Sequence, residues 1–132
     1  MILIDSNVLL DIASENSEWY SWSSGAVETA GNSDDLGINP IIYAETSVRY
    51  SSPAEFDIAF PEQFFRREPL PYAAAFLAGK AHLAYRNQGG SRFTTLPDFF
   101  IGAHAAVAGY QILTRDPRRF RRYFPSVKLI AP

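Results

Sequence analysis

The sequence contains no cysteine and only two histidines, His82 and His104. The lack of cysteine excludes disulfide bonds, thiolate zinc sites and cysteine nucleophiles, and two histidines are too few for a histidine-rich metal cage. No apolar run approaches the roughly 20 residues that a membrane-spanning helix needs. The opening MILIDSNVLL also lacks the basic region of a signal peptide. We therefore expect a soluble protein of the cytoplasm.

Basic residues are almost missing from the first part of the chain, and acidic residues are scarce in the second. Residues 1–62 contain eleven acidic residues and one basic residue, whereas residues 63–132 contain eleven basic and three acidic residues. Such a split often accompanies a polyanionic partner, although complementary surfaces within one fold or a protein–protein interface also produce it. The length of 132 residues predicts a single domain over residues 1–132.

Short apolar segments alternate with helical segments along the chain. This alternation predicts an α/β fold with a mainly parallel sheet and helices on both faces. Ligands of such sheets bind beyond the carboxyl ends of the strands, where the strand order reverses. The predicted strands are MILID, LGIN, REPLP as a possible edge strand, QILT and VKLI, and the predicted helices cover 6–14, 17–30, 40–50, 53–65, 72–87, 96–108 and a short turn at 116–124.

Four acidic residues stand where such a sheet would bind a ligand. Asp5 and Asp116 follow predicted strands, and Asp98 lies three residues after Thr95 in a helix-capping pattern. Glu45 shares a helical stripe with apolar residues, where a carboxylate is costly to bury without a partner. Each acid alone has an ordinary structural explanation: a helix cap for the three aspartates and, for Glu45, an ion pair with Arg49.

Taken together, the four acids favour a metal site. Four carboxylates that converge on one point repel one another unless a divalent cation holds them. Oxygen ligands without cysteine or histidine favour Mg²⁺ or Mn²⁺. Acidic Mg²⁺ sites typically act on phosphate esters, because the ion keeps open positions for phosphate oxygen and water.

The chain resembles the PIN-domain ribonucleases, and most closely the VapC-type toxins of toxin–antitoxin pairs. LIDSNVLLD resembles the opening strand of the family with its first acid, and PIIYAETS and LPDFFIGAHA resemble the segments with the second and third acids. ILTRDPRRFRRYFPSVKLIAP resembles the closing strand–turn–strand with the fourth acid. The residue after the first acid is Ser6, where the family more often has threonine, and this difference keeps the hydroxyl group.

The resemblance implies a PIN-like three-layer fold with a sheet of four to five strands in the order 3-2-1-4-5. It implies a metal-dependent endoribonuclease that leaves 3′-hydroxyl and 5′-phosphate ends, with Mg²⁺ as cofactor and Mn²⁺ as a substitute. Asp5, Asp98 and Asp116 would hold the metal and Glu45 would complete the catalytic site. It further implies inhibition by a cognate VapB-type antitoxin, and a homodimer.

Residues beside these acids extend the hypothesis. Ser6 and Thr114 could orient a carboxylate or a water molecule. We expect His82, His104 and Asp11 to take no part, the histidines as packing or surface residues and the aspartate as a solvated one. Arginines cluster around the fourth acid and predict contacts with the RNA backbone, since arginine binds phosphate in a bidentate manner: Arg115, Arg118, Arg119, Arg121 and Arg122.

Two other functional classes remain open from the sequence. A catalytically silent PIN-like RNA-binding module is the first, although RNA binding needs positive charge rather than four acids. The second is a doubly wound phosphotransfer or phosphatase domain. Haloacid-dehalogenase-like phosphatases need a second aspartate two residues after the first, where this sequence has Asn7.

Overall fold

A five-stranded, wholly parallel sheet forms the centre of the molecule. The structure is a computed structural model that describes residues 1–90 and 96–132. The strand order is β3-β2-β1-β4-β5, which confirms the predicted α/β class and the expected order 3-2-1-4-5. The strands are β1 (Ile2–Ile4), β2 (Leu36–Ile38), β3 (Phe65–Arg67), β4 (Gln111–Leu113) and β5 (Leu129–Ile130).

Helices connect the strands and cover the sheet. None of the helices in the described residues is both long enough and apolar enough to cross a membrane. The helices are α1 (Ser6–Ala13), α2 (Tyr20–Ser33), α3 (Pro40–Ser47), α4 (Pro53–Ala59), α5 (Tyr72–Asn87), α6 (Leu96–Ala108) and α7 (Arg118–Tyr123).

The central strands are short, apolar and buried on both faces, as parallel strands between helical layers must be. All residues of β1 and β2 are buried. Helix α6 packs closely against Phe124, the residue after α7. Gly102 of α6 makes this possible, because a Cβ atom there would occupy the space of the Phe124 ring. Gly109, with φ of +72°, then ends α6 in a conformation that favours glycine.

Two predicted boundaries are wrong around β3. The helix expected over 53–65 ends at Ala59, because the following residue, Phe60, precedes Pro61 and proline disfavours helical geometry in its predecessor. The edge strand expected in REPLP is instead Phe65–Arg67. Glu68 continues the pairing, because its N–H donates to the carbonyl oxygen of Ile38 (2.8 Å). The next residue, Pro69, has no N–H to donate to a neighbouring strand. The capping role predicted for Thr95 lies outside the described residues.

Candidate active site

The first acid lies at the point where the strand order reverses. β1 pairs with β2 on one side and with β4 on the other, so the chain leaves β1 and β4 toward opposite sides. Asp5 directly follows β1, and its N–H donates to the carbonyl oxygen of Leu113 at the end of β4 (2.9 Å). Thr114 Oγ1 donates to Asp5 Oδ2 (2.8 Å). The carboxylate is only 3% exposed, and a hydroxyl group from the neighbouring strand fixes its orientation.

The second acid is brought to the same place by α3. Asn39 caps this helix, because its side chain accepts from the N–H groups of Ile41 and Ile42. One turn further, Glu45 Oε1 accepts a hydrogen bond from Ser6 Oγ (2.9 Å). The same Ser6 hydroxyl group lies 3.5 Å from Asp5 Oδ1, so it is placed between the first two acids.

The third acid has a charged partner. Arg119 Nη1 on α7 donates to Asp98 Oδ2 on α6 (2.5 Å). The guanidinium carbon of Arg119 also lies 5.5 Å from the ring centroid of Tyr85 on α5, within cation–π range. Three helices thus fix the arrangement around Asp98.

The fourth acid has a charged partner as well. Arg118 donates through Nε to Asp116 Oδ1 (2.9 Å) and through Nη2 to Oδ2 (3.0 Å). The Asp116 side chain is 49% exposed and that of Arg118 is 85% exposed, so water screens this pair. The N–H of Asp116 donates to Thr114 Oγ1 (3.1 Å). The same hydroxyl group therefore forms hydrogen bonds with both the first and the fourth acids.

All four acids line one cavity of about 500 Å³. The acids come from separate segments of the sequence, and the fold brings these segments to one place. Beside Asp5, Glu45, Asp98 and Asp116, the lining comprises Ser6, Asn7, Tyr85, Arg118, Arg119, Arg122 and Tyr123.

The electrostatics of the cavity differ from acid to acid. Burial, with the negative charges of Asp98 and Glu45, raises the pKa of Asp5 to about 7, although the Thr114 hydroxyl opposes the shift. Burial also raises the pKa of Glu45 and that of Asp98, despite the Arg119 ion pair. Arg118 instead lowers the pKa of Asp116. A divalent cation is stabilised most by negative charges that are shielded from water, as those of Asp5, Glu45 and Asp98 are in whole or in part.

The donor set fits a hard divalent cation, since it consists of carboxylates with no sulfur ligand. The acids do not yet surround one point. Among residues 1–90 and 96–132, no three histidine, aspartate or glutamate side chains are placed closely enough to hold one metal ion. Arg118 and Arg119 of α7 line the same cavity and bind Asp116 and Asp98.

One expectation about the neighbouring residues is wrong. Asp11, expected to be solvated, is buried at 5% exposure, because Ser23 Oγ and Arg115 Nε each donate to Asp11 Oδ2 (2.8 Å). Arg115 is thereby engaged by an acid outside the cavity. For Glu45, the structure gives the hydroxyl partner Ser6, and its described contacts contain no ion pair with Arg49.

Further expectations concern the helices. The apolar stripe expected around Glu45 includes Val48, three residues later, and this side chain is largely exposed. His104 is buried in the core, as expected for a packing residue, and its Nδ1 lies 3.1 Å from Asn39 Nδ2. His82 is also buried, against the rings of Tyr85 and Phe99.

Several cavity residues were missed from the sequence. Asn7 was given no role in the site, yet Asn7 Nδ2 donates to Thr114 Oγ1 (3.3 Å) and Asn7 Oδ1 accepts from the N–H of Arg115 (3.4 Å). Its position two residues after Asp5 was an available signal. Tyr85 and Tyr123 carried no signal, because only the packing of α5 against α7 brings them to the cavity.

An all-parallel sheet with four acids around its reversal point defines an α/β protein with an acidic site suited to phosphate esters. The sequence profile of the PIN domain family matches residues 2–124, and the chain belongs to this family. Membership supports assignment of the chain as a nuclease, and so as a hydrolase. None of the curated proteins matches the sequence significantly.

Similar solved structures agree on the fold over the whole chain. VapBC2 from Rickettsia felis, bound to a promoter DNA fragment, has a TM-score of 0.73 at 15% identity and covers 100% of this chain and 99% of that chain. VapBC-1 from nontypeable Haemophilus influenzae has a TM-score of 0.72 at 16% identity, covering 99% and 98%. A toxin–antitoxin complex from Klebsiella pneumoniae has a TM-score of 0.66 at 20% identity, covering 91% and 90%.

Proposed function

We propose that the chain is a metal-dependent endoribonuclease, the toxin of a VapBC-type toxin–antitoxin pair. The observation that carries this proposal is the convergence of four acids from four chain segments on one cavity at the strand-order reversal. Membership of the PIN domain family supports the nuclease class. The similar structures from Rickettsia felis and Haemophilus influenzae belong to VapBC systems, which supports the narrower class.

Each acid has a role that follows from its position. Asp5, Asp98 and Asp116 would hold the cation, and Glu45 would complete the site and orient the attacking water through its free carboxylate oxygen. A bound Mg²⁺, or Mn²⁺ in its place, would lower the pKa of water and neutralise charge on the phosphate. The hydroxyl group of Thr114 keeps the carboxylate of Asp5 in place.

The products follow from hydrolysis by water. In-line attack of water on phosphorus breaks the bond to the 3′-oxygen, which leaves as a 3′-hydroxyl group, while the phosphate stays on the 5′ end of the other fragment. The nucleophile is water, so no 2′-hydroxyl group is consumed. Selection of RNA over DNA would then depend on recognition of the substrate.

The arginines of α7 lie at the rim of the acidic cavity, where a phosphate backbone would pass. Arg118 and Arg122 line the cavity and are exposed, as Arg121 is on the same helix. We assign backbone contacts to this group. Arg115 belongs to it less readily, because its guanidinium already binds Asp11.

The partner of the proposed toxin is a VapB-type antitoxin that covers the acidic cavity. The Klebsiella pneumoniae structure is a toxin–antitoxin complex, and a free nuclease of this kind would damage the cell that makes it. We also propose a homodimer and a cytoplasmic location, in which RNA is accessible. A short reading frame for a DNA-binding protein immediately upstream would support the pairing.

The direct test is cleavage of a defined RNA by the purified protein with Mg²⁺, with Mn²⁺ and with EDTA. We expect cleavage only with metal, and fragments that carry 5′-phosphate and 3′-hydroxyl ends. Asp98→Asn, purified identically, controls for contaminating ribonuclease. Metal-independent binding without cleavage would support the silent RNA-binding module, and a trapped phosphoprotein would support a phosphotransfer domain. After induced expression, sequencing of RNA ends would identify the target.

A further inference from the structure

Two acids of the cavity carry a cation supplied by the chain itself. Arg119 is bound to Asp98 and stacked on Tyr85, and its side chain is 34% exposed. The guanidinium group is therefore held from two sides in a partly enclosed place. Asp5 and Glu45, by contrast, accept hydrogen bonds from the hydroxyl groups of Thr114 and Ser6, which carry no charge to displace.

The position of this guanidinium group matters for cation binding. Asp98 Oδ2 cannot give the same lone pairs to a guanidinium group and to a divalent ion, and both ligands seek the most negative part of the cavity. Among the described residues no three acids surround one point, and the salt bridge directs Asp98 toward Arg119 of α7.

We propose that Arg119 competes with the divalent cation for Asp98 and thereby sets the metal affinity of the site. The inference rests on the proposed metal-dependent function. Cation binding requires Arg119 to release Asp98, and the released guanidinium group is then available to a phosphate at the same rim. Arg119 is in this sense a positioning residue, since it acts on the metal through Asp98.

The three arginines of α7 form a graded series for testing this inference. Arg119 is partly enclosed and binds a partly buried acid. Arg118 binds Asp116, but water screens both side chains. Arg121 is exposed, and its described contacts contain neither an ion pair nor a side-chain hydrogen bond. Replacement by alanine removes one positive charge from the same helix in each case, so long-range electrostatics are matched.

The experiment measures Mn²⁺ binding to the RNA-free protein by calorimetry and by the paramagnetic resonance signal of free Mn²⁺. We expect Arg119→Ala to bind Mn²⁺ about three- to tenfold more tightly than the unaltered protein, the range given by one charged hydrogen bond in a partly exposed place. Arg118→Ala should show a smaller gain, and Arg121→Ala less than about a twofold gain, as expected for a screened distant charge.

Arg119→Gln removes the charge but keeps a polar side chain with an NH₂ donor, and it replaces Arg119→Ala if the latter unfolds on a thermal melt. Arg119→Lys keeps the charge and should stay closer to the unaltered protein than Arg119→Gln. Equal Mn²⁺ affinity in Arg119→Ala and Arg121→Ala, or weaker binding in Arg119→Ala, would overturn the inference while leaving the proposed function intact. Absence of Mn²⁺ binding in every folded variant, together with metal-independent cleavage or none, would overturn both.

Discussion

The acidic cavity has two halves whose carboxylates have different kinds of partner. Asp5 and Glu45, from β1 and α3, accept hydrogen bonds from hydroxyl groups. Asp98 and Asp116, from α6 and the chain after β4, are bound by arginines of α7. A hydroxyl group orients a carboxylate without compensating its charge. The negative charge of the hydroxyl-bound half (Asp5 and Glu45) must therefore be balanced by a proton or by an added cation. In the arginine-bound half (Asp98 and Asp116) a positive charge lies beside each carboxylate, although burial still raises the pKa of Asp98.

The largest expected effect is on cleavage, where the two halves should behave alike. Asp5→Asn and Asp98→Asn should each reduce RNA cleavage at least about a hundredfold, because loss of a metal ligand costs no less than loss of a supporting contact. The protein should remain folded. Initial cleavage rates with Mg²⁺, beside circular dichroism spectra, measure both. An active, folded Asp98→Asn protein would restrict Asp98 to a structural role.

The next prediction concerns pH in the metal-free protein. The folded-state pKa of Asp5 is raised from 3.8 to about 7, so the folded state holds this proton more tightly than the unfolded state. The contribution of protonated Asp5 to the free energy of unfolding is therefore fully present below about pH 4, and it is lost as the pH rises to 7. The loss is about 2–4 kcal/mol, counted at 1.36 kcal/mol for each pKa unit.

Asp5→Asn isolates this contribution, since asparagine does not titrate in this range. The free energy of unfolding of the unaltered protein, minus that of Asp5→Asn, should fall between pH 4 and pH 7 in denaturant titrations with EDTA. A difference that stays flat over this interval would mean that Asp5 is already ionised in the apo protein.

A third prediction concerns the ion pair between α1 and the chain after β4. Asp11 on α1 binds Arg115, which precedes Asp116 in the chain after β4. Asp11→Asn should lower the free energy of unfolding by about 1–3 kcal/mol, less than for a fully buried pair because the Arg115 side chain is partly exposed. Chemical denaturation measures this. Glu15→Gln, which removes an exposed acid nearby, should stay within about 0.5 kcal/mol.

A fourth prediction separates the halves by stability. Glu45→Gln should leave the apo protein unchanged or stabilise it by up to about 1 kcal/mol, because it removes a like charge and keeps an acceptor for Ser6. Asp116→Asn should give no gain, since it leaves Arg118 without its charged partner. Thermal melts without metal compare the two. A strong loss of stability in Glu45→Gln would instead indicate that Glu45 forms an ion pair, for which Arg49 is the nearest basic residue in the sequence.

The smallest expected effect concerns RNA affinity. Arg122 is exposed, lines the cavity and contacts the neutral side chain of Gln88. Arg122→Ala should flatten the log–log salt dependence of single-stranded RNA binding by up to about 0.7, the value for one lost phosphate contact. In the unaltered protein Arg115 is bound to Asp11. Arg115→Ala should therefore lower the stability of the protein and change this slope little. The opposite pattern would assign the backbone contact to Arg115.

Much of the fold followed from local pattern. Short apolar runs between helices predicted the parallel sheet, and a residue directly after a strand must lie at the carboxyl edge, which located Asp5 and Thr114. The boundaries around β3 were less predictable. Phe60 and Phe65 pack against each other there, and aromatic packing and prolines overrode the helical pattern.

The sequence alone identified the candidate site residues: four acids in order along the chain, a hydroxyl group after the first and a basic cluster beside the fourth. Only the tertiary structure decided how these groups pair. Arg115 and Arg119 are four residues apart, yet one binds Asp11 on α1 and the other Asp98 on α6. Composition cannot distinguish them, because the partner of a charged side chain depends on which helices the fold brings within about 4 Å. At that distance desolvation and Coulomb attraction depend on geometry and not on sequence separation.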